Sequence, residues 1–280
     1  SHTKPIQSVI AWINPWDDPD RLRQHHNEFD LYWQGASDCA RRLGYQLESF
    51  NTTETPLSRL QSIFKARSIQ GILIPPIGEG AVELEQIDWS SFAAVRLGRA
   101  AAGPKMHFVG SAQIANTMIA FNRSLDLGYQ RIGFVCEYWA TRYFGAGFSW
   151  AQRALPEANQ LPLLALDPKD SFECQEAAFE AWLQENRPDA IITDNSETRE
   201  MLENLGYSIP SDVGLATTSV HDTRIDSGID QSPYEIGRAA VRMLTALIAE
   251  KSFGLPDQCN ETLIEGKWID GPMLPSLKSG

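Results

Sequence analysis

Aromatic side chains are unevenly spread along the 280 residues. Trp12 and Trp16 flank the end of an apolar run. Tyr138, Trp139, Tyr143, Phe144, Phe148 and Trp150 crowd a loop after another run that ends at Val135, and Phe172 lies just past Asp167 and Asp170. Flat rings of this kind stack on the apolar faces of sugars while a few polar groups fix the hydroxyls. The pattern therefore points to a small polyhydroxylated ligand. Trp12 falls inside its apolar run and is expected in the core. Trp16 and Trp139 stand in loops, where contact with a ligand is as natural as packing.

Residues that make or break bonds lack the spacing that such chemistry needs. The histidines His2, His25, His26, His107 and His221 form no HExxH and no i,i+4 pair, and Cys39, Cys136, Cys174 and Cys259 form no CxxC. Asp17, Asp18 and Asp20 are followed by neither the glycine nor the terminal glutamate of a calcium loop. There is no GxGxxG, GxxxxGK[ST] or GxSxG, and Gly145-Ala-Gly147 lacks both a third glycine and a preceding strand. The expectation is a binding protein with no catalytic residues, no metal and no cofactor. The cysteines read as small buried hydrophobes of a reducing compartment.

Twenty-four Lys and Arg against thirty-six Asp and Glu give a net charge of -12. Such a surface repels phosphate and argues against nonspecific nucleic-acid binding by this segment, though not against a basic reading module outside it. No run approaches the length of a membrane span and no signal peptide is visible, so a cytoplasmic protein without membrane association is expected. The start at Ser1-His2 reads as a cleavage scar left by removal of a native N-terminal segment.

The elements that must position these rings alternate in period. Strand-like runs at 8–13, 45–50, 71–74, 93–97, 107–109, 131–135, 163–166, 190–193 and 214–217 are separated by helical stripes. These stripes lie at 29–43, 57–64, 114–125, near 173–186 and 196–205, and at about 234–250. Alternation of this kind predicts parallel sheets covered by helices on both faces. Two such series predict two doubly wound α/β subdomains joined by crossing strands. Ligands are expected at the carboxyl ends of the strands, in the loops after Ile13, Ile74, Val109, Val135, Thr193 and Thr217.

Several segments, in order, resemble the LacI-type transcriptional regulators. Tyr32–Tyr45 is similar to the first helix and second strand of that family, G-(I/A)-x-x-x-A-x-x-x-G-Y. Ser68–Ile74 is similar to V-D-G-(I/L)-I, and Leu125–Phe134 to L-x-x-L-G-H-R-R-I-(A/G)-F. Arg187-Pro-Asp-Ala-Ile191 matches R-P-D-A-I, Ile209–Val213 matches (I/V)-P-x-D-(V/I), and Gln231–Ala240 matches Q-x-x-x-E-(I/L)-G-x-x-A. The resemblance implies a type I periplasmic-binding-protein-like effector domain. Its N-terminal subdomain is expected over 1–111 plus 228–250, and its C-terminal subdomain over 112–227 plus 251–280. A small-molecule effector, most plausibly a sugar, would enter between the subdomains and change their orientation. In a homodimer this would control operator DNA binding through a helix-turn-helix headpiece absent from this chain. Apolar surface on the helices near 29–43 and 234–250 is the candidate dimer contact.

The candidate ligand-binding set is Asn14, Trp16, Phe29, Ser111, Trp139, Arg142, Phe172, Asn195, Ser219 and Gln231. On the resemblance, Asn195 stands at the asparagine of an (A/S)-N-D turn, with Ser196 in place of the aspartate. Thr217-Thr218-Ser219-Val220 replaces G-(F/Y)-D-(D/N), and Ala112-Gln113 replaces D-N. Phe144 replaces an arginine, for which Arg142 could substitute. Phe172 sits near the family's capping aromatic, and Gln231 matches its glutamine at a crossing. Fewer carboxylates and more rings favour stacking over dense hydroxyl chelation. The alternative reading is a solute-binding protein of a sugar transporter, which shares the architecture. An enzyme on the same scaffold is disfavoured by the absence of any nucleophile, base and orienter set.

Overall fold

The two apolar periods resolve, in a computed structural model describing residues 8–15, 27–76, 83–99 and 103–278, into twelve strands and seven α-helices among those residues. Trp16, Asp17, Asp18, Asp20, His25 and His26 lie outside them. The strands form two six-stranded sheets, one in each of two compact units. The doubly wound α/β class expected from the sequence is the class observed.

The N-terminal lobe contains β1 (Ser8–Asn14), β2 (Tyr45–Asn51), β3 (Gly71–Ile74), β4 (Ala93–Leu97) and β5 (His107–Ser111), running β2-β1-β3-β4-β5 with every neighbour parallel. Successive side chains leave a strand on opposite faces. In β1, Ile10 and Trp12 accordingly join one core while Ala11 and Ile13 join the other. The first core is closed by α1 (Asn27–Arg42) and α7 (Pro233–Ala249). The second is closed by α2 (Leu57–Ala66) and the turns carrying Leu84, Ile87 and Trp89.

α1 and α7 meet at two glycines. A Cβ on Gly35 would lie 1.9 Å from the Tyr234 carbonyl oxygen, and one on Gly237 would lie 2.1 Å from that of Tyr32. Each glycine thus admits the backbone of the other helix. The apolar stripes of these helices, expected as candidate dimer contacts, instead build the core of the lobe: Tyr32, Ala36, Cys39 and Ala40 pack with Ile236, Ala240, Val241 and Leu244.

The C-terminal lobe repeats the strand order with β6 (Ile132–Glu137), β7 (Leu164–Leu166), β8 (Ala190–Thr193), β9 (Gly214–Thr217) and β10 (Gly228–Asp230), arranged β7-β6-β8-β9-β10, again parallel. Helix α3 (Gln113–Asp126) and α4 (Phe144–Ala151) supply Phe121, Phe144 and Phe148 to one core. Helix α5 (Phe172–Asn186) and α6 (Thr198–Asn204) supply Phe179, Leu183, Met201 and Leu202 to the other. The aromatic stretch after Val135, expected as a loop, is largely helical. Residues Tyr138–Arg142 form a 3-10 turn that leads into α4, and Phe144 and Phe148 are core residues rather than exposed rings.

The boundaries differ from those expected at two places. One unit comprises Ser1–Ser111 with Ser232–Ile264, and the other Ala112–Gln231 with Glu265–Gly280. Residues 228–231 belong to the C-terminal lobe because β10 pairs with β9. Residues 251–264 belong to the N-terminal lobe because β11 (Glu261–Ile264) pairs in parallel with β5. The chain then crosses once more, and β12 (Lys267–Ile269) caps the C-terminal sheet antiparallel to β10. These short edge strands, Glu261-Thr-Leu-Ile264 and Lys267-Trp-Ile269, carry too few apolar positions to stand out as a periodic run.

Candidate functional site

Both sheets present polar residues at the carboxyl ends of their strands, where ligands bind in open α/β folds. In the N-terminal lobe, Asn14 and Ser111 are the last residues of β1 and β5, both half-buried. The Asn14 carbonyl accepts the backbone N–H of Thr52 at 2.9 Å, which ties this strand end to the turn after β2. Phe29, in the first turn of α1, lies edge-on to Tyr32 at 6.0 Å between centroids and packs on the core. Trp12 is buried, as expected, and stands edge-on to Trp33 at 5.4 Å. Trp16 lies outside the described residues.

The C-terminal lobe places six expected residues on the segments that leave β6, β7, β8, β9 and β10. Adjacent strands β8 and β9 end in the same device. Buried Thr193 accepts the N–H of Asn195 on its Oγ1 at 3.0 Å, and buried Thr217 accepts that of Ser219 at 3.1 Å. A hydroxyl that captures the N–H two residues on turns the chain sharply without glycine. The two turns are then consolidated. Asn195 Oδ1 accepts from the Glu197 N–H at 2.7 Å, and Ser219 Oγ accepts from the Asp222 N–H at 3.3 Å. Both side chains are buried and shape the sheet edge. Gln231, also buried, follows β10 directly, and beside it His221 Nε2 and Asp230 Oδ1 are 3.1 Å apart.

Exposed rings stand at the end of β6. Tyr138 and Trp139 are 70% and 57% exposed, which is far from core packing for such large side chains. The Trp139 indole N–H donates to Glu137 Oε2 at 2.8 Å, and its ring meets Phe144 edge-on at 6.2 Å. Arg142 is exposed, with its guanidinium 5.5 Å from the centre of the Tyr143 ring. Phe172 opens α5 and packs partly on the core. The structure thus gathers Trp139, Asn195 and Ser219 along one sheet edge, while Phe172 and Arg142 belong to flanking segments.

Two acidic residues at this edge escaped the sequence reading. Asp194 follows β8, and its Oδ1 accepts the backbone N–H of Glu137 at 3.0 Å. Its Oδ2 is buried without a hydrogen-bond partner. Burial, reinforced by the negative charge of Glu137, pushes its carboxyl up to about 8. Burial likewise raises the thiol of neighbouring Cys136. The available signal was a charged residue placed directly after each of two buried strand runs, at Glu137 and Asp194.

These groups can stack, donate and accept hydrogen bonds, and hold a proton. Among the described residues, no group of three or more His, Cys, Asp or Glu is placed to hold a metal ion. No helix of the described residues is long and apolar enough to cross a membrane.

Known proteins share this architecture. The transcriptional regulator CelR in complex with cellobiose superimposes with a TM-score of 0.69 at 15% identity, over 97% of this chain and 85% of that one. A LacI family transcriptional regulator from Enterococcus faecium with bound ribose gives 0.67 at 18% identity, over 97% and 100%. A regulatory protein of the LacI family from Chloroflexus aggregans gives 0.69 at 17% identity, over 95% and 98%. No curated protein matches at the level of sequence. The sequence profile of the periplasmic binding protein-like domain matches residues 121–267, more than half of the chain. With this profile match and two mostly parallel sheets of the same strand order, the chain belongs to the periplasmic binding protein-like domain family.

Proposed function

We propose that this chain is the effector-binding domain of a LacI-type transcriptional regulator and that its effector is a sugar or sugar derivative. The observation that carries the reading is the exposed pair Tyr138 and Trp139, held at a strand end of a fold whose structural neighbours include regulators with bound cellobiose and ribose. A ring face fixed by a hydrogen bond at its edge suits the apolar face of a pyranose or furanose, and buried polar turns beside it keep the edge rigid. The chain acts by binding and not by catalysis. Its signal is the difference in affinity that the effector shows for two arrangements of the lobes.

In this reading the protein works in the cytoplasm as a homodimer and reads operator DNA through a separate N-terminal headpiece, which fits the acidic balance of the chain. The ligand set is Asn14, Trp16, Phe29, Ser111, Trp139, Arg142, Phe172, Asn195, Ser219 and Gln231, with Trp139 as its strongest member.

Calorimetric titration with a panel of mono- and disaccharides tests this. At least one sugar is expected to bind and raise the melting temperature. Trp139→Ala is expected to weaken it by roughly tenfold or more, about the loss of one good stacking contact. A panel that neither binds nor shifts the melting temperature overturns the sugar assignment.

A further inference from the structure

The C-terminal sheet edge contains a chain of contacts that ends on the exposed indole. Asp194 Oδ1 accepts the backbone N–H of Glu137, and the carboxylate of the same Glu137 accepts the N–H of Trp139. Residue 137 therefore links a buried acid to a surface ring. The second oxygen of Asp194 is buried with no partner, an arrangement that a neutral acid tolerates far better than a carboxylate.

The backbone N–H groups of Glu137 and of Asp194 itself favour the carboxylate, but burial and the charge of Glu137 outweigh them. Glu137, at the end of β6, is negative. Cys136, on the same strand, is a buried thiol, and the adjoining end of β9 contributes Thr217 and Thr218, which carry no charge. No cation among the described residues pairs with Asp194.

We propose that Asp194 and Glu137 form a proton-sensitive strut that sets the position of Trp139. With a proton on Asp194 the strut holds. When the proton leaves, the Glu137 N–H stays bonded to Asp194, but the two like charges repel, the side-chain carboxylate of Glu137 is driven away, and the indole loses its acceptor. The side chain of Asp194 does not need to touch a ligand for this; it is a positioning residue acting through Glu137. The consequence for effector affinity rests on the reading above, since Trp139 is there the stacking surface. The strut itself does not depend on that reading.

The test needs no effector. Tryptophan fluorescence of the full chain is titrated from about pH 6 to pH 9, below the range in which tyrosines ionise. The Trp139→Phe variant is titrated alongside, so that the difference reports on Trp139 alone. A one-proton transition centred near pH 8 is expected in the difference signal. Asp194→Asn keeps an acceptor for the Glu137 N–H but cannot ionise, and is expected to abolish the transition. Glu137→Gln keeps an acceptor for the indole and removes the repelling charge. With nothing left to drive the side chain away, it is expected to shrink the transition at Trp139 severalfold or abolish it, and serves also if the first variant fails to fold. A flat difference signal in the unmodified protein, a transition that persists in Asp194→Asn, or one undiminished in Glu137→Gln overturns the proposal. A sugar panel that fails while the transition follows these expectations would leave the strut standing and remove only the effector reading.

Discussion

The two lobes run one strand order, β2-β1-β3-β4-β5 and β7-β6-β8-β9-β10, yet differ in charge and in how their helices meet. The N-terminal unit holds 14 Lys and Arg against 16 Asp and Glu, a net of -2. The C-terminal unit holds 10 against 20, a net of -10, and together these make up the -12 of the chain. The N-terminal core is closed by two helices whose glycines admit each other's backbone. In the C-terminal lobe, α4 approaches α3 through one glycine, Gly147, where a Cβ would stand 2.5 Å from the Ile114 carbonyl oxygen. Surface charge can thus vary widely over one topology, because the topology is set by the apolar faces of strands and helices. The raised carboxyl of Asp194 sits on the acidic lobe, where burial and the charge of Glu137 disfavour its ionisation.

The most severe way to break the comparison is at the helix crossings. Gly237→Ala presses a methyl group against a backbone oxygen that no side-chain rotation can relieve. It is expected to cost about 3 kcal/mol or more in chemical denaturation. Gly147→Ala should cost less, since its approach is longer. Equal losses would mean that the two crossings are equally forgiving.

The next effect belongs to Asp194. An unfolded aspartate loses its proton near pH 4, whereas the folded one keeps it to about 8. Across that window the folded state binds the extra proton, so this residue makes stability fall as pH rises, and the loss is complete above the folded value. Asp194→Asn should therefore add little near pH 4 and on the order of a few kcal/mol at pH 9, read from melting curves at both ends. A gain independent of pH would place the strain elsewhere.

Smaller effects sharpen the contrast between interior and surface. Asn116 is buried in α3, and its Oδ1 accepts the N–H of Gly266, at 2.8 Å, where the chain has just entered the C-terminal lobe for the last time. Asn116→Ala leaves that donor unpaired and is expected to cost about 1–3 kcal/mol. In the N-terminal lobe, Arg67 grips Glu48 through two bonds of 2.7 Å and lies over the Phe50 ring, but on the surface. Arg67→Ala is expected to change stability by less than about 1 kcal/mol in the same denaturation experiment.

Much of this architecture could be read directly from the chain. Runs such as Gly71-Ile-Leu-Ile74 and Ala190-Ile-Ile-Thr193 have no polar side to show, which is the mark of a strand covered on both faces, and they are strands. The helix from Pro233 was legible from its apolar stripe and closes a core, as such stripes do. The helical nature of Phe144–Ala151 was not legible. Its two glycines and three aromatic residues are weak helix formers, and α4 is held by packing on α3. Within the candidate edge, Trp139, for which packing and ligand contact were equally natural expectations, is exposed. Asn195 and Ser219 were expected to contact ligand, and both also contribute to the turns that end β8 and β9 by accepting backbone N–H groups two and three residues on, a partnership that residue type alone does not reveal.

The amino-acid sequence by itself determined the alternation of strand and helix, the doubling of that pattern and the acidic balance, because periodicity and composition are local properties. Tertiary structure alone decided that Asp194 shares a corner with Glu137, that Gly35 and Gly237 admit each other's helices, and that residues 261–264 return to the first sheet. Each of these depends on residues far apart in the chain being brought within a few ångströms, and neither burial nor a missing hydrogen-bond partner exists until the chain has folded.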